Sequence, residues 1–471
     1  MKKLIALLLA VLMVVSLFAG CAQKAEDAPA AEPEKAPAQD AAPDAAPEAS
    51  APAEDAADAP AADPNARPFE GRTLTLAHYI LDAAMEGLNA QFAAFEEKTG
   101  AKIEVELLAE NGDESESILL TRAATGSLPD VFCASSGAKM KEFSPADNIM
   151  DLSGQAFVER LTDDYKSVVD GDNGEIFGVP IRPVNIGGVF YNKSVYAELG
   201  LEIPTTWEQL MENCQIIRDT TDKDPVVGAY DGAAGRQILF LSQYYYVARE
   251  NPDFADQYTN REITLSESPA YMRGLEKMYE LHEKGYLNED PLSTSFDDSA
   301  IMLAEGSAVH TFSRTNLVGT INNVAPDKID EIGFFPLPDE NEDVLGAALW
   351  LTQSWCISKN TENADLALAL LEFLVSDEGL EAYCTGAAPT GVFAIKGSTL
   401  PDDVPQVIKD AQDWVSKDTQ LVMEYYCDIK GSNMSTILSM VGTGELTPDE
   451  AVAEIEADNA IDAQQKGIPG W

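Results

Sequence analysis

The alternation of two hydrophobic periods over residues 72–108 is the feature that most constrains the fold of this chain. Apolar and polar residues alternate in residues 72–78 and again in residues 102–108, which is the period of a β-strand. Between them, residues 85–99 carry apolar side chains three and four apart and end before Gly100, which is typical of an amphipathic helix. The order strand, helix, strand predicts a βαβ unit and hence an α/β domain with a largely parallel sheet.

Later segments carry equally clear signals for helices and strands. We predict a helix over residues 117–124, an apolar strand over residues 131–134 and a buried Ala/Leu-rich helix over residues 364–374. Capping boxes at residues 204–209 and 447–450 each predict the start of a further helix. Because ligands bind beyond the carboxyl ends of the strands in open sheets of this kind, the strand ends are the first place to look for a site.

The first 20 residues have the pattern of a secretory signal peptide. Two lysines precede a short apolar run that ends at Ala19-Gly20-Cys21, and the run is too short to span a bilayer permanently. The small residues before Cys21 resemble the lipobox of bacterial lipoproteins, in which the cysteine is lipidated and becomes the mature N-terminus. The alternative is a cysteine beside an ordinary cleavage site. We predict export and a lipid anchor at Cys21, on the extracytoplasmic face of the cell membrane.

Residues 22–68 consist mainly of Ala, Pro and acidic residues and contain no aromatic or β-branched residue. Such a segment buries too little apolar surface to offset the entropy of ordering, and its prolines and like charges keep it extended. We therefore predict a disordered tether over residues 21–68, including the lipidated cysteine. The 403 residues that follow residue 68 exceed what one hydrophobic core usually organises, so two lobes are expected.

The formal net charge of −49 makes nucleic acid an improbable partner. Five cysteines remain after Cys21, namely Cys133, Cys214, Cys356, Cys384 and Cys427. An odd number cannot all pair within one chain, and the first three lie in apolar patterns, where a free cysteine behaves as a small buried hydrophobe. The sequence does not predict a disulfide framework.

Several short motifs follow one another along residues 72–465. They are Thr-Gly-Ser-Leu-Pro-Asp-Val at 125–131, Gly-Val-Pro at 178–180, Val-Phe-Tyr-Asn-Lys at 189–193, Pro-Thr-Thr-Trp at 204–207, Ala-Glu-Gly-Ser-Ala at 304–308, Phe-Pro-Leu-Pro at 335–338, Ala-Pro-Thr at 388–390 and Gly-Glu-Leu-Thr-Pro-Asp-Glu-Ala at 444–451. Their identity and order resemble the family 1 extracellular solute-binding proteins, which deliver sugars and oligosaccharides to ABC importers.

This resemblance implies two α/β lobes, each with a mostly parallel sheet flanked by helices, that close by hinge bending on a ligand between them. It implies lobe 1 over residues 69–183 and 335–389 and lobe 2 over residues 184–334 and 390–471. The chain would cross near residues 181–188, return near residues 335–345 and cross last near Pro389. The expected partners are a small solute, the permease subunits of an ABC transporter and the membrane. The resemblance implies a monomer without cofactor or metal.

Candidate ligand contacts lie at strand ends and crossings, because a sugar needs planar polar groups for its hydroxyls and an aromatic face for its ring. We predict ligand contact for His78, Tyr79, Asn111, Asp113, Ser135, Arg182, Asn185, Asp231, Arg236, Phe312, Arg314, Trp350 and Tyr425. Core packing is an equal alternative for Phe312 and for one of His78 and Tyr79. Trp350 and Trp355 would lie in one strand and face opposite sides, so that one belongs to the core.

The sequence gives less support to an enzymatic function. A nucleophile elbow, a Walker loop, a dinucleotide fingerprint and the zinc-protease motif are all absent from it, and its three histidines lie far apart. The abundance of acids leaves a paired-carboxylate glycosidase open. The alternatives to a solute-delivering receptor are therefore a secreted carbohydrate-active enzyme and a solute sensor for a signalling receptor. The solute could also be a polyamine or a metal chelate.

Overall fold

A computed structural model of the chain describes residues 67–81, 84–108 and 112–471, without the side chains of Gly112, Asp113 and Ala234. The predicted signal peptide, Cys21 and all but the last two residues of the predicted tether lie outside the described residues.

Eleven strands are present in the described part of the chain. They are β1 (Thr73–His78), β2 (Lys102–Leu107), β3 (Val131–Ala134), β4 (Val179–Pro180), β5 (Asn185–Asn192), β6 (Asp224–Val226), β7 (Ala308–Arg314), β8 (Ile332–Phe335), β9 (Ala347–Trp350), β10 (Ser354–Ile357) and β11 (Thr419–Leu421).

The α-helices of the described residues are α1 (Ala84–Thr99), α2 (Gly112–Thr125), α3 (Pro145–Asn148), α4 (Asp163–Lys166), α5 (Lys193–Leu199), α6 (Trp207–Thr220), α7 (Ala233–Ser242), α8 (Tyr244–Glu250), α9 (Phe254–Thr259), α10 (Pro269–Glu283), α11 (Phe296–Glu305), α12 (Leu317–Val324), α13 (Ala364–Leu374), α14 (Asp377–Gly386), α15 (Gln406–Val415), α16 (Met434–Gly442) and α17 (Pro448–Lys466). Short 3₁₀ helices occupy Gly137–Phe143, Ala156–Arg160, Leu265–Glu267, Pro326–Glu331 and Met423–Tyr425.

The strands form two separate sheets. Sheet 1 has the order β2-β1-β3-β10-β4, with β1 parallel to β2 and β3 and with β10 antiparallel to both of its neighbours. Sheet 2 has the order β11-β9-β5-β7-β6, and β8 pairs with β5 beside β9. We call sheet 1 with its helices lobe 1 (residues 69–180 and 354–396) and sheet 2 with its helices lobe 2 (residues 185–350 and 406–471). The predicted two-lobed α/β fold is confirmed.

Three stretches of chain connect the lobes. The first comprises Ile181–Val184, between β4 in sheet 1 and β5 in sheet 2. The second comprises Leu351–Gln353, between β9 in sheet 2 and β10 in sheet 1. The third follows Lys396, whose backbone N–H donates to the Arg160 carbonyl of lobe 1 at 2.6 Å.

The observed boundaries differ from the predicted ones at two places. The return to lobe 1 does not occur at residues 335–345, because β8 and β9 both pair with the eight-residue strand β5, which is long enough to hold two short strands on one side. The last crossing lies beyond Pro389, since Ile395 still pairs with Leu161 of lobe 1. Trp350 and Trp355 therefore lie in different strands of different sheets, and the prediction of a shared strand is wrong.

Several predicted elements are found where the sequence places them. The βαβ unit is formed by β1, α1 and β2, and the strand at residues 131–134 and the helix at residues 364–374 match the prediction. The helix predicted over residues 117–124 starts five residues earlier. Thr206 with Gln209 and Thr447 with Glu450 form the predicted capping boxes, in which each side chain bonds the other residue's backbone N–H.

Asp130 explains one of the motifs in structural terms. Its carboxylate accepts hydrogen bonds from the Thr75 backbone N–H and hydroxyl, both at 2.8 Å, and from the Thr361 hydroxyl at 2.5 Å. Burial would raise the pKa of Asp130, but these hydrogen bonds and that of Asn363 outweigh it and hold the pKa below its usual value. The motif residue thus joins β1, β3 and the loop after β10.

The apolar core runs through the connections between the lobes. One buried cluster fills lobe 1 and continues past Val184 to one face of sheet 2, where it includes Phe190 and Phe334. A second cluster covers the other face of sheet 2 beneath α6 to α10, α16 and α17. Cys133, Cys214 and Cys356 are fully buried, as predicted, and the five cysteines of the described residues are unpaired. No helix in the described ranges is long and apolar enough to cross a membrane.

Lys277 is a fully buried lysine in the second cluster. Its ammonium group lies 2.8 Å from the Asp339 carboxylate, donates to Gln243 and to the Pro338 carbonyl, and lies 5.2 Å from the centre of the Trp207 ring. Burial lowers the pKa of Lys277 from 10.5 to about 8, and Asp339 offsets part of that fall. The lysine ties α10 to the chain segment that follows β8.

We expect the free energy of unfolding of the protein to depend on pH through the titration of Lys277. Between pH 8 and pH 10.5 the unfolded chain keeps a proton on this amine that the folded chain has lost, so the wild type gains stability as the pH rises. Relative to Lys277→Met, its free energy of unfolding should rise by about 3 kcal/mol across this window in denaturant titrations. The difference in free energy of unfolding between wild type and Lys102→Met, at a lysine whose side chain is 68% exposed, should stay constant across the same window. A constant difference between wild type and Lys277→Met would contradict the assignment.

Candidate functional site

A cleft of about 600 Å³ lies between the two lobes. Its floor is the second crossing, Leu351–Gln353, and its walls come from both lobes. Lobe 1 contributes the end of β3 and the following 3₁₀ helix, and lobe 2 contributes α7, α17 and the segment between β11 and α16. The lining side chains that bear on the chemistry are Ser135, Ser136, Lys139, Glu142, Gln237, Thr352, Gln353, Glu424, Tyr425, Asp428, Lys430, Ser432, Ser435, Asp462 and Lys466.

Glu116 organises the lobe 1 wall from the buried side. Its carboxylate accepts a hydrogen bond from the Tyr79 hydroxyl at 2.8 Å and one from the Ser135 backbone N–H at 2.9 Å. The Lys139 ammonium lies 3.7 Å from the same carboxylate. Ser136 donates to the carbonyl of Thr352 at 2.6 Å, which fixes this wall to the floor. The end of β3 is therefore held in place, and its polar groups face the cleft.

Ion pairs order the lobe 2 wall. Lys466, in the last turn of α17, pairs with Asp428 at 3.0 Å and with Asp462 at 3.3 Å. Lys430 pairs with Glu424. These groups are part-exposed, so each pair contributes little stability, but together they fix the positions of charges along the cleft.

Tyr425 lies where the lobes meet the crossing. Its hydroxyl donates to the Leu351 carbonyl at 2.7 Å. Burial raises the pKa of the Tyr425 phenol and Glu424 adds to the rise, while the guanidinium groups of Arg314 and Arg182 oppose it. Arg182, in the first crossing, and Arg314, at the end of β7, therefore both lie near Tyr425.

A smaller chamber of about 150 Å³ adjoins the cleft at the first crossing. It is lined by Arg182 and Asn185, both predicted, and by Asn316 and Thr320 at the start of α12. The side-chain oxygens of Asn185 and Asn316 are buried and accept no hydrogen bond from the described residues. Arg182 donates to the Gln353 side chain, which lines the cleft, at 3.4 Å. The chamber thus offers hydrogen-bonding groups next to the main cleft.

The other predicted residues lie in varied places. His78 is buried in lobe 1, with its ring 5.8 Å from that of Trp355, and burial lowers its pKa to about 4. Tyr79 is buried against Glu116. Trp350 packs over Gly187, with the Arg314 guanidinium 5.7 Å from its ring centre. Asn111 and the side chain of Asp113 lie outside the described residues.

Three predicted residues of lobe 2 lie just before α7, in α7 and in β7. Arg236 donates to the backbone carbonyls of Tyr230, at 2.5 Å, and Asp231, at 3.1 Å, and the side chain of Asp231 is exposed. Phe312 is half-buried against Trp207, with ring centres 6.2 Å apart. Arg236 and Phe312 line a narrow pocket within lobe 2. The structure therefore places these side chains apart from the cleft, of whose lining Gln237 is the residue contributed by α7.

The charged residues of the cleft were missed by the sequence analysis. The sequence predicts solvated helix faces or loops for the segments that contain them, namely those of Lys139, Glu142, Asp428, Lys430 and Lys466. A chain with 80 acidic and 31 basic residues offers no signal that separates these from the rest. Polar strand ends guided the choice toward Ser135, but nothing in the sequence indicated which face of the 3₁₀ helix after β3 meets lobe 2.

Comparison with known proteins places the chain in a family. A sequence profile of the bacterial extracellular solute-binding proteins matches residues 81–381. The chain belongs to this family. The multiple sugar-binding protein of Streptococcus mutans serotype c is 22% identical over 315 residues, which cover 64% of this chain and 70% of that protein.

Solved structures show the same fold. A chitin oligosaccharide binding protein matches with a TM-score of 0.68 at 18% identity and covers 83% of this solute-binding protein and 100% of its own chain. RafE in complex with raffinose matches with a TM-score of 0.67 at 21% identity, with the same coverage of both chains. At these identities the likeness shows the fold alone.

The two lobes of the solute-binding protein touch at Gly137. This glycine follows β3 with a φ of +72°, and a Cβ built on it would lie 2.8 Å from the backbone of Tyr425. Gly126 also has a positive φ, +66°, but nothing lies within 4 Å of the position that a Cβ would take there. The contact at Gly137 therefore allows lobe 1 to approach the lobe 2 wall of the cleft.

Gly137→Ala should separate the lobes at this contact. Alanine costs about 1–2 kcal/mol for its positive φ at either glycine, but only at residue 137 does the methyl group meet backbone of the other lobe. We expect Gly137→Ala to increase hydrogen exchange at residues 423–427 and to enlarge the radius of gyration in solution scattering. Gly126→Ala should lose similar stability without either change. Equal behaviour of the two variants would show that the contact does not limit lobe approach.

Proposed function

We propose that this protein is a receptor that captures a carbohydrate in the interlobe cleft and delivers it to the permease subunits of an ABC importer. The observation that carries the proposal is the cleft itself, which is lined by both lobes in a chain of the extracellular solute-binding family. A solute held by both walls stabilises the closed arrangement of the lobes. A membrane partner can then distinguish the loaded receptor from the empty one.

The polar groups of the cleft and chamber suit a sugar. Hydroxyl and amide side chains, including Ser135, Ser432, Gln237 and Asn316, can donate to and accept from ring hydroxyls. The relatives support this class, since one is a multiple sugar-binding protein and the solved structures include proteins named for chitin oligosaccharide and bound to raffinose. These relatives are binding proteins, which supports capture of the solute without chemical change.

A thermal-shift screen of residues 69–471 tests the proposal. A ligand that binds only the folded state raises the melting temperature, by an amount equivalent to about 2.7 kcal/mol at a hundredfold excess over its Kd. We expect a shift from one series of mono- or oligosaccharides and from neither polyamines nor metal chelates. Prolonged incubation with the same sugar should yield no product by chromatography. Absence of any sugar shift, or breakdown of the sugar, would contradict the proposal.

We also propose that the receptor is anchored to the membrane through lipid on Cys21, after removal of residues 1–20. The support is the sequence alone: a lysine-led apolar run, small residues before the cysteine, and an Ala/Pro/acidic tether up to residue 68. A tether of this composition would let the receptor reach its permease while staying at the cell surface.

Cys21→Ser should release the receptor from the membrane. Without the thiol no lipid can be attached, so the protein should move from the membrane fraction to the soluble extracytoplasmic fraction when cells are fractionated. Cys384→Ser, at a cysteine of lobe 1, is the matched control and should leave the distribution unchanged. Membrane retention of Cys21→Ser would contradict the lipid anchor without affecting the proposed binding role.

A further inference from the structure

The charges that line the cleft are nearly all compensated by one another. Four carboxylates and three ammonium groups line it: Glu142, Glu424, Asp428, Asp462, Lys139, Lys430 and Lys466. Each ammonium group lies within 4.0 Å of a carboxylate, since Lys430 pairs with Glu424, Lys466 with Asp428 and Asp462, and Lys139 with Glu116. In the described residues, each lysine of the cleft thus has a carboxylate partner, and none is left over to recognise an anionic solute.

Glu142 is the exception among these charges. It lies near the end of the 3₁₀ helix Gly137–Phe143 on the lobe 1 wall, and its side chain is exposed to the cleft. Among the described residues no cation lies within 4.0 Å of its carboxylate. Among the described residues of the cleft, Glu142 is therefore the carboxylate without an ion-pair partner, and a cationic solute can reach it.

Two neutral groups of the same cleft are also open, and both can accept hydrogen bonds. Thr352 is only 4% exposed, and its hydroxyl makes no hydrogen bond to the described residues. The Gln237 amide nitrogen donates to the Ala233 carbonyl at 2.9 Å, which leaves its buried side-chain oxygen as a free acceptor. A buried acceptor without a donor is costly, so the cleft is arranged for a solute rich in N–H or O–H groups.

Asp428 lines the lobe 2 wall of the cleft whose lobe 1 wall carries Glu142. Burial raises the pKa of Glu142, and the charge of Asp428 adds to the rise, while Lys466 and Lys139 oppose it and Glu116 adds weakly. The Lys466 ammonium, 3.0 Å from Asp428, offsets part of the repulsion between the two carboxylates, and the part that remains resists approach of the lobes. A cation between them reverses the sign of this interaction and favours the closed arrangement.

We infer that the solute carries a protonated amine, which lies between Glu142 of lobe 1 and Asp428 of lobe 2. Joined to the carbohydrate class, this inference assigns an amino sugar as the substrate, and it rests on the proposed function. The amine supplies the positive counter-charge that Glu142 lacks among the described residues. The sugar hydroxyls or the same amine can donate to Thr352 and Gln237. The net charge of −49 also raises the local concentration of cationic solutes.

Calorimetric titration with matched sugar pairs tests the inference. The pairs are glucose with glucosamine, galactose with galactosamine, and cellotriose with the β-1,4-linked glucosamine trimer, each differing only in a hydroxyl or amine at the second carbon. At about pH 6.5 the amines are largely protonated. We expect the amino sugar of at least one pair to bind at least about tenfold more tightly than its neutral partner, as a charge-assisted hydrogen bond would give.

Glu142→Gln should weaken binding of that amino sugar about tenfold and leave the melting temperature of the unliganded protein unchanged. Glu97→Gln removes the same charge from an exposed position on α1 that does not line the cleft, and it should leave the affinity unchanged. Neutral sugars that bind as tightly as their amino partners, or equal losses in the two variants, would overturn the inference and leave the proposed function standing. Failure of every sugar, here and in the thermal-shift screen, would overturn the proposed function itself.

Discussion

The packing of the first crossing against the second crossing and against residues 391–392 of lobe 1 is the constraint on which the rest of the structure depends. Val184 pairs with Val392, and Gly391 is required beside it, because a Cβ there would lie 1.8 Å from the Val184 carbonyl. The second crossing lies alongside, since the Ile181 backbone N–H donates to Gln353. Each lobe has its own sheet, so these segments, together with the contact between Gly137 and Tyr425, set the distance and angle between the two walls of the cleft.

The crossings also connect packing to recognition. Apolar side chains of the crossings belong to the core that extends from lobe 1 to one face of sheet 2. Polar side chains of the same segments, such as Arg182, Thr352 and Gln353, line the chamber and the cleft. A change in the angle between the lobes therefore moves charged walls relative to a rigid polar floor. In such an arrangement a solute that contacts both walls binds the closed form more tightly than the open form and so shifts the equilibrium toward closure.

The cleft is rich in charge and poor in aromatic rings. Tyr425 is the one aromatic side chain that lines it in the described residues, and its hydroxyl is already bonded to Leu351. A sugar that relied on ring stacking would find little surface here, whereas one with a charged substituent would meet Glu142 and Asp428. The ion pairs on the lobe 2 wall keep the remaining charges neutralised, so that recognition can depend on the group that stays unpaired.

The sequence by itself determined the elements whose signals are local. The βαβ unit, the strand before Ser135, the capping boxes at Thr206 and Thr447 and the buried cysteines follow from hydrophobic period, turn residues and side-chain capping, which act over a few positions. Only the tertiary structure decided where the chain returns to lobe 1. The strands β8 and β9 belong to sheet 2 because they pair with β5, which lies more than a hundred residues earlier in the chain. The tertiary structure alone also decided the site. Glu142, Asp428 and Lys466 are far apart in the sequence, and only the fold brings their charges to one cleft.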